Sequence, residues 1–169
     1  MQEVTLFRNI QFGRMALVLL ATILTAYGAG AQTTTFEGLS GIRVEVQVDP
    51  SLTEEGLNAK QILADVESRL QREKIQVLSE EQWRTVDHHP LLRIRIDGAR
   101  VQENWNFYTF AINIYLLQDV LLVRESETIR HQAATWFTSI AGCGYFGDIQ
   151  TRVNELVDRF STKFREANS

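Results

Sequence analysis

Strict alternation of apolar and polar residues is the clearest pattern in the chain, and it predicts strands. In segment 42–48 every second residue is isoleucine or valine, and in segment 91–101 the apolar residues alternate with Arg93, Arg95 and Asp97. A period of two is typical of a strand that buries one face. Three further segments, 75–78, 107–123 and 128–141, have strand-like composition. The pattern therefore predicts five strands.

Helical spacing predicts two amphipathic helices. The first spans 59–73 after Asn58, a residue type that caps helices, and Gln61 stands where a capping box needs it. The second spans about 149–167 after Asp148, whose charge suits a helix amino end. Their apolar residues recur every three or four positions. They are Leu63, Val66 and Leu70 in the first helix, and Val153, Leu156, Val157, Phe160 and Phe164 in the second.

The order of these elements, β-α-β-β-β-β-α, predicts one α+β domain. The consecutive strands favour an antiparallel sheet, and two amphipathic helices must bury their apolar stripes on one face of it. Gln118 and Asp119 interrupt the longest strand segment and predict a bend or bulge there.

The turn between the last two strands decides which aromatic residue faces the helices. If residues 125 and 126 form a two-residue turn, Ile114 lies opposite Phe137 on the buried face, and Tyr115 lies opposite Trp136 on the open face. A change of one residue would instead send Trp136 to the core. We predict the first register.

An aromatic and cationic patch follows from that register. Tyr115 and Trp136 would pair on the open face, with Arg93 and Arg95 on the neighbouring strand. Such residues are enriched at the centres of protein interfaces, so these four are the candidate binding residues.

The first thirty-one residues predict a signal peptide. Arg8 and Arg14 precede an uncharged stretch, 15–31, whose end matches the Ala-x-Ala pattern of a cleavage site at Ala31. Cleavage would leave 32–169 as a single periplasmic or secreted domain. The alternative is an uncleaved membrane anchor. A helix that spans a membrane needs about twenty strongly apolar residues, and the stretch 15–31 is shorter than that.

Composition narrows the class of protein. The chain has 169 residues, of which 44% are hydrophobic and 22% charged, and this length and composition predict one folded domain. A net charge of −4 without any basic block argues against nucleic acid as a partner. The single cysteine, Cys143, is predicted to be a buried structural residue.

Three motifs resemble chemical sites without completing one. Segment 142–147 matches G-x-G-x-x-G, but too little chain follows for the second strand of a dinucleotide-binding unit. His88, His89 and His131 lack the ligand number and spacing of a zinc site. Cys143 has no histidine near it in sequence. We therefore predict no catalytic residue, cofactor or metal.

Several short segments together resemble a family of small exported bacterial proteins with no assigned activity. The resemblance covers most of 39–167, including Gln82-Trp83-Arg84-Thr85, His89-Pro90 and the helical pattern from Val153 to Phe160. It implies export and a shared fold, and it carries no active-site residue.

These observations predict an exported envelope or extracellular protein that binds a macromolecule and is not an enzyme. Its partner would be a protein, or a second copy of the chain, held through the sheet face. Two alternatives stay open: a membrane-anchored subunit of an envelope complex, and a small enzyme of unknown type.

Overall fold

The protein has an α+β fold, which confirms the predicted class. The computed structural model describes residues 35–124 and 127–168, so the predicted signal peptide and the residues of the hairpin turn lie outside the described residues. Eight elements follow one another along the chain: β1 (Arg43–Val48), α1 (Pro50–Glu54), α2 (Ala59–Arg72), α3 (Glu80–Trp83), β2 (Leu91–Arg100), β3 (Tyr108–Arg124), β4 (Glu127–Gly144) and α4 (Phe146–Ala167).

The sheet has four strands in the order β1-β2-β3-β4 and is mostly antiparallel. The pairs β2–β3 and β3–β4 are antiparallel, whereas β1 runs parallel to β2. Parallel strands need a long crossover connection, and the three helices between β1 and β2 provide it.

The prediction of a fifth strand at 75–78 is wrong. Only Val77 bridges to the sheet, through a single parallel contact with Ile42. The segment turns sharply out of α2 at Lys74, whose φ is +62°, and then buries Ile75 and Leu78. Its apolar residues therefore serve the core without forming a ladder.

Both long helices form close to where the spacing places them. Asn58 caps α2 by accepting hydrogen bonds from the backbone N–H groups of Lys60 and Gln61, at 3.0 and 3.3 Å. The last helix begins at Phe146, three residues earlier than predicted. Asp148 lies in its first turn and accepts from the backbone N–H of Tyr145 at 2.8 Å.

One hydrophobic core joins the helices to the sheet. Helix α2 contacts β1 and α4, while α4 contacts β3 and β4. Alternate residues of β2 and β3 supply the sheet side of this core, and the apolar stripes of α2 and α4 supply the helical side. Its fully buried members include Ile62, Val66, Leu70, Leu92, Ile94, Ile96, Ile112, Ile114, Leu156 and Phe160.

A β-bulge in β4 changes the hairpin register. Near the turn the pairing is as predicted, with Leu122 opposite Ile129. Between Leu116 and Leu117 the register shifts by one residue, because Leu117 lies opposite Ala134 and Leu116 lies opposite Trp136. Thr135 is therefore the extra residue of the bulge, so the bulge lies on the strand opposite the one in which it was predicted.

Hydrogen bonds hold the bulge in place. Gln118, which is buried, donates through Nε2 to the Thr135 hydroxyl oxygen at 3.0 Å and to the Thr35 carbonyl at 2.8 Å. The Thr135 hydroxyl in turn donates to the Leu116 carbonyl at 3.3 Å. Gln118, one of the two polar residues that interrupt β3, thus stabilises the bulge in β4.

The bulge overturns the predicted pairing of Tyr115 with Trp136. Tyr115 lies opposite Phe137, and Trp136 is turned towards the helices with 8% of its surface exposed. One inserted residue exchanges the two faces of a strand, because side chains alternate with a period of two.

No helix among residues 35–124 and 127–168 is long and apolar enough to cross a membrane.

Candidate binding surface

The face of the sheet that points away from the helices carries one transverse row of large side chains. Strand register places Glu45, Arg93, Tyr115 and Phe137 side by side across β1, β2, β3 and β4. Residues opposite one another in a sheet point to the same face, so the four side chains form a continuous row. We call it the open-face row.

Two aromatic rings stack at the β4 end of the open-face row. The rings of Tyr115 and Phe137 have centroids 5.9 Å apart and planes inclined by 22°. Phe137 has 56% of its surface exposed, although a phenylalanine in the middle of a strand is usually covered. Tyr115 is half-buried, so the Phe137 ring supplies the apolar area of the stack that no described part of the chain covers.

Ion pairs occupy the other end of the face. Arg93 contacts the Glu45 carboxylate at 3.3 Å, and the Nε of Arg95 donates to both carboxylate oxygens of Asp97 at 2.9 Å. The hydrogen bond that Arg95 donates to Asp97, together with the negative charge of that carboxylate, raises the pKa of Arg95 above its ordinary value. The positive charges of this face are thus largely matched by their own acidic neighbours.

Small side chains fill the rest of the face towards the start of α4. Register brings Ala111 opposite Ala141, and Thr109 opposite Cys143. Cys143 is exposed, so the prediction of a buried cysteine is wrong. It follows Gly142 near the end of the edge strand and points away from the helices. Small side chains consequently lie between the aromatic stack and this end of the two strands.

The structure brings three of the four predicted binding residues to this face. Arg93, Arg95 and Tyr115 lie on it, whereas Trp136 contacts the rings of Phe36 and Phe160 in the core, with centroids 5.7 and 5.5 Å away. Phe137 takes the place that Trp136 was expected to fill. Gln118 hinted at an irregularity, but nothing in the local sequence placed it at Thr135.

A polar cavity of about 470 Å³ lies beside the bulge, where Gln118 and Thr135 line it, and is a weaker candidate. Glu37, Asp87, His88 and Gln118 contribute to its wall. His88 and His89 have φ values of +64° and +42°, which non-glycine residues rarely adopt. The Nδ1 of His89 contacts the Asp119 carboxylate at 2.7 Å, and its ring packs on Trp83.

His88 contacts the backbone carbonyl of Asp119 through Nδ1, at 3.4 Å, and His89 contacts side chains, so the two form no chelating group. Among residues 35–124 and 127–168, no cluster of three or more histidine, cysteine or acidic residues could hold a metal ion. Thr35, the first described residue, is also part of the cavity wall. The cavity therefore gives no defined ligand chemistry.

The glycine-rich segment 142–147 connects β4 to α4. A Cβ atom at Gly144 would lie 2.5 Å from a carboxylate oxygen of Asp148, so this position requires glycine for close approach of the helix cap. The Asp148 carboxylate occupies the space beside the amino end of α4, where a dinucleotide fingerprint would place a phosphate.

Comparison with known proteins identifies no family. No family model and no curated protein matches the chain. Among solved structures, the chain is similar to a neuraminyllactose-binding hemagglutinin homolog from Helicobacter pylori, with a TM-score of 0.38 and 10% sequence identity. The similarity covers 77% of this chain and 88% of the other. At this distance neither a residue role nor a ligand transfers from one protein to the other.

Proposed function

We propose that this protein is an exported, non-enzymatic module that binds another protein through the open face of its sheet. The observation that carries the proposal is the Tyr115–Phe137 stack, in which the Phe137 ring is exposed. Exposed aromatic rings surrounded by polar residues are typical of the centre of a protein interface. The small side chains of Ala111 and Ala141 beside the stack would let a partner approach the sheet backbone closely.

The charges of the open face favour a protein over a polyanion. Binding to nucleic acid or an acidic polysaccharide depends on unpaired lysine and arginine side chains. Here Arg93 is paired with Glu45, and Arg95 with Asp97. We therefore expect a partner with an apolar centre that covers the aromatic stack and a polar periphery that meets these ion pairs.

Export is proposed on the amino-terminal pattern and on the resemblance to small exported bacterial proteins. An envelope location would bring the open face to envelope proteins, and we place the partner there. The protein would then be periplasmic or secreted.

The partner prediction is tested by replacing Phe137. Envelope extracts, mildly cross-linked, are passed over the full chain and over Phe137→Ala. We expect at least tenfold less of the recovered partner on Phe137→Ala, because an interface residue of this kind contributes about 2 kcal/mol or more, or about thirtyfold in affinity.

A matched control keeps this test specific. Trp105 is an equally exposed aromatic residue, with 55% of its surface accessible, in the connection between β2 and β3. Trp105→Ala should recover the partner as well as the unchanged chain does. Equal recovery on Phe137→Ala would refute the open-face site, as would turnover of a substrate by the chain in a hydrolase screen with no partner recovered.

Export has its own test at the amino terminus. Mass spectrometry of the protein isolated from the producing cell should find a mature chain that begins at Gln32, because signal peptidase cuts after Ala31 in the Ala-x-Ala pattern. Recovery of an intact Met1 in the membrane fraction would instead identify the anchored form.

A further inference from the structure

Strand β4 is an edge strand, and half of its backbone hydrogen-bonding groups face away from the sheet. Val101 directly follows β2, and Phe107 directly precedes β3. The Val101 N–H donates to the Phe107 carbonyl at 2.8 Å, so these two residues form a hydrogen-bonded pair at the end of the β2–β3 ladder. Such pairs alternate along an antiparallel ladder. Odd-numbered residues of β3, up to Leu117, therefore bond to β2, and even-numbered ones bond to β4.

The same alternation identifies the outward-facing groups of β4. Its even-numbered residues from Trp136 to Gly144 bond to β3, since they pair with the even-numbered residues of that strand. The remaining residues direct their N–H and C=O groups to the free edge. They are Phe137, Ser139, Ala141 and Cys143, whose side chains also point to the open face.

After the bulge at Thr135, this edge lacks the features that usually block strand addition. Natural edge strands are shortened, charged, bulged, interrupted by proline or covered by another element. Strand β4 has 18 residues, and the stretch 131–147 contains no lysine, arginine, aspartate, glutamate or proline. The opposite edge, β1, has only six residues, includes Arg43 and Glu45, and is partly extended by the Ile42–Val77 bridge.

We propose that two copies of this chain pair edge to edge through β4, antiparallel, about a two-fold axis at Ile140. The regular part of the edge runs from Trp136, just after the bulge, to Gly144, where the strand ends. Ile140 is the midpoint of this stretch. The register centred there is the one that uses its whole length, and it joins two four-stranded sheets into one of eight strands.

The side chains of the edge suit pairing with themselves. In this register Phe137 lies opposite Cys143 of the second copy, and Ser139 lies opposite Ala141 of the second copy. A large side chain thus meets a small one at each end. In a symmetric interface, each residue near the two-fold axis lies close to the same residue of the second copy. A charged residue there would therefore be repelled by its counterpart. The uncharged stretch 131–147 avoids that cost.

The helix beside the edge is compatible with a second copy. A two-fold axis perpendicular to the sheet keeps both α4 helices on the same side. A groove of about 460 Å³ separates β4 from α4, and Asp158, Arg159 and Lys163 line its helical side. Because this side carries both signs of charge, two copies can meet there without net repulsion.

This inference goes beyond the proposed partner and does not depend on it. The two-fold axis leaves both open faces exposed on the same side of the joined sheet. Loss of the dimer would therefore leave the Tyr115–Phe137 stack available, and loss of the envelope partner would leave the dimer intact.

Sedimentation of the full chain tests the dimer. We expect the unchanged chain to be a dimer at micromolar concentration, and Ser139→Pro to dissociate at least tenfold more readily. Proline lacks the outward N–H of position 139, while the bonds of β4 to β3 use other residues, so the melting temperature should change little. Ser139→Ala retains that N–H and should remain dimeric.

The results that overturn the proposal are specific. If the unchanged chain is still a monomer at a protein concentration of about 100 µM, the proposal is wrong. A dimer that persists in a folded Ser139→Pro variant shows that association uses another surface.

A cysteine variant tests the register even if Ser139→Pro fails to fold. Phe137→Cys should form a disulfide with the native Cys143 of the second copy on mild oxidation, since hydrogen-bonded antiparallel pairs have Cα atoms about 5.5 Å apart. Within one strand these two positions are roughly 20 Å apart, at about 3.3 Å per residue, and cannot bond. Phe137→Cys combined with Cys143→Ser should lose this cross-link. Cross-linking by Ser139→Cys and not by Phe137→Cys would refute the register centred on Ile140.

Discussion

Replacing Phe160 with alanine is expected to lower the free energy of unfolding by about 3–5 kcal/mol. Phe160 is completely buried in α4. Its ring lies 5.5 Å from the rings of both Phe36 and Trp136, and 6.0 Å from that of Phe164. These four rings join the segment before β1, the edge strand and the last helix, so a cavity there would weaken three parts of the fold at once.

Chemical denaturation of the unchanged chain and of Phe160→Ala measures this loss. Domains of this size are stable by about 5–15 kcal/mol, so the variant would be close to unfolding at moderate temperature. Phe137→Ala is the matched control, because it removes the same side chain from the open face and should cost about 1 kcal/mol, the value of one aromatic pair. A similar loss in both variants would mean that α4 does not pack as described.

Replacing Trp136 with alanine is expected to cost a similar 3–5 kcal/mol. This result distinguishes the two registers of the hairpin. The register read from the turn alone places Trp136 on the open face, and there its removal would scarcely change the stability. The bulge at Thr135 instead turns its ring towards Phe36 and Phe160.

Thermal and denaturant unfolding of Trp136→Ala, compared with Phe137→Ala, provides the measurement. A large loss for Trp136→Ala and a small one for Phe137→Ala supports the bulged register. The reverse order would support the register without a bulge. Because Trp136 and Phe160 are in contact, the double variant should lose less stability than the sum of the two single losses.

Much of the local structure could be predicted from the sequence, because it depends on near neighbours in the chain. The spacing of Leu63, Val66 and Leu70 predicted the end of α2 to within one residue, and Asn58 caps the helix as its position suggested. The alternation in 42–48 and 91–101 likewise predicted β1 and β2 and the faces they bury. These patterns report which side of an element is apolar.

Pairing between distant segments could not be predicted in the same way. The short segment around Val77 has the composition of a strand, yet only one of its residues bridges to the sheet. Whether it forms a ladder depends on the turn at Lys74 and on the space that the core leaves. Neither is visible from the segment itself.

For this protein, the sequence by itself determined the helices, the main strands, the α+β class and the apolar stripes that meet in the core. Only the tertiary structure decided that β1 lies parallel to β2, that β4 is a free edge, and that Phe137 faces outwards in place of Trp136. The physical reason is the two-residue period of a strand, since one extra residue at Thr135 reverses every following side chain. The energy that favours this reversal comes from distant partners, Phe36, Gln118 and Phe160, which the local pattern does not contain.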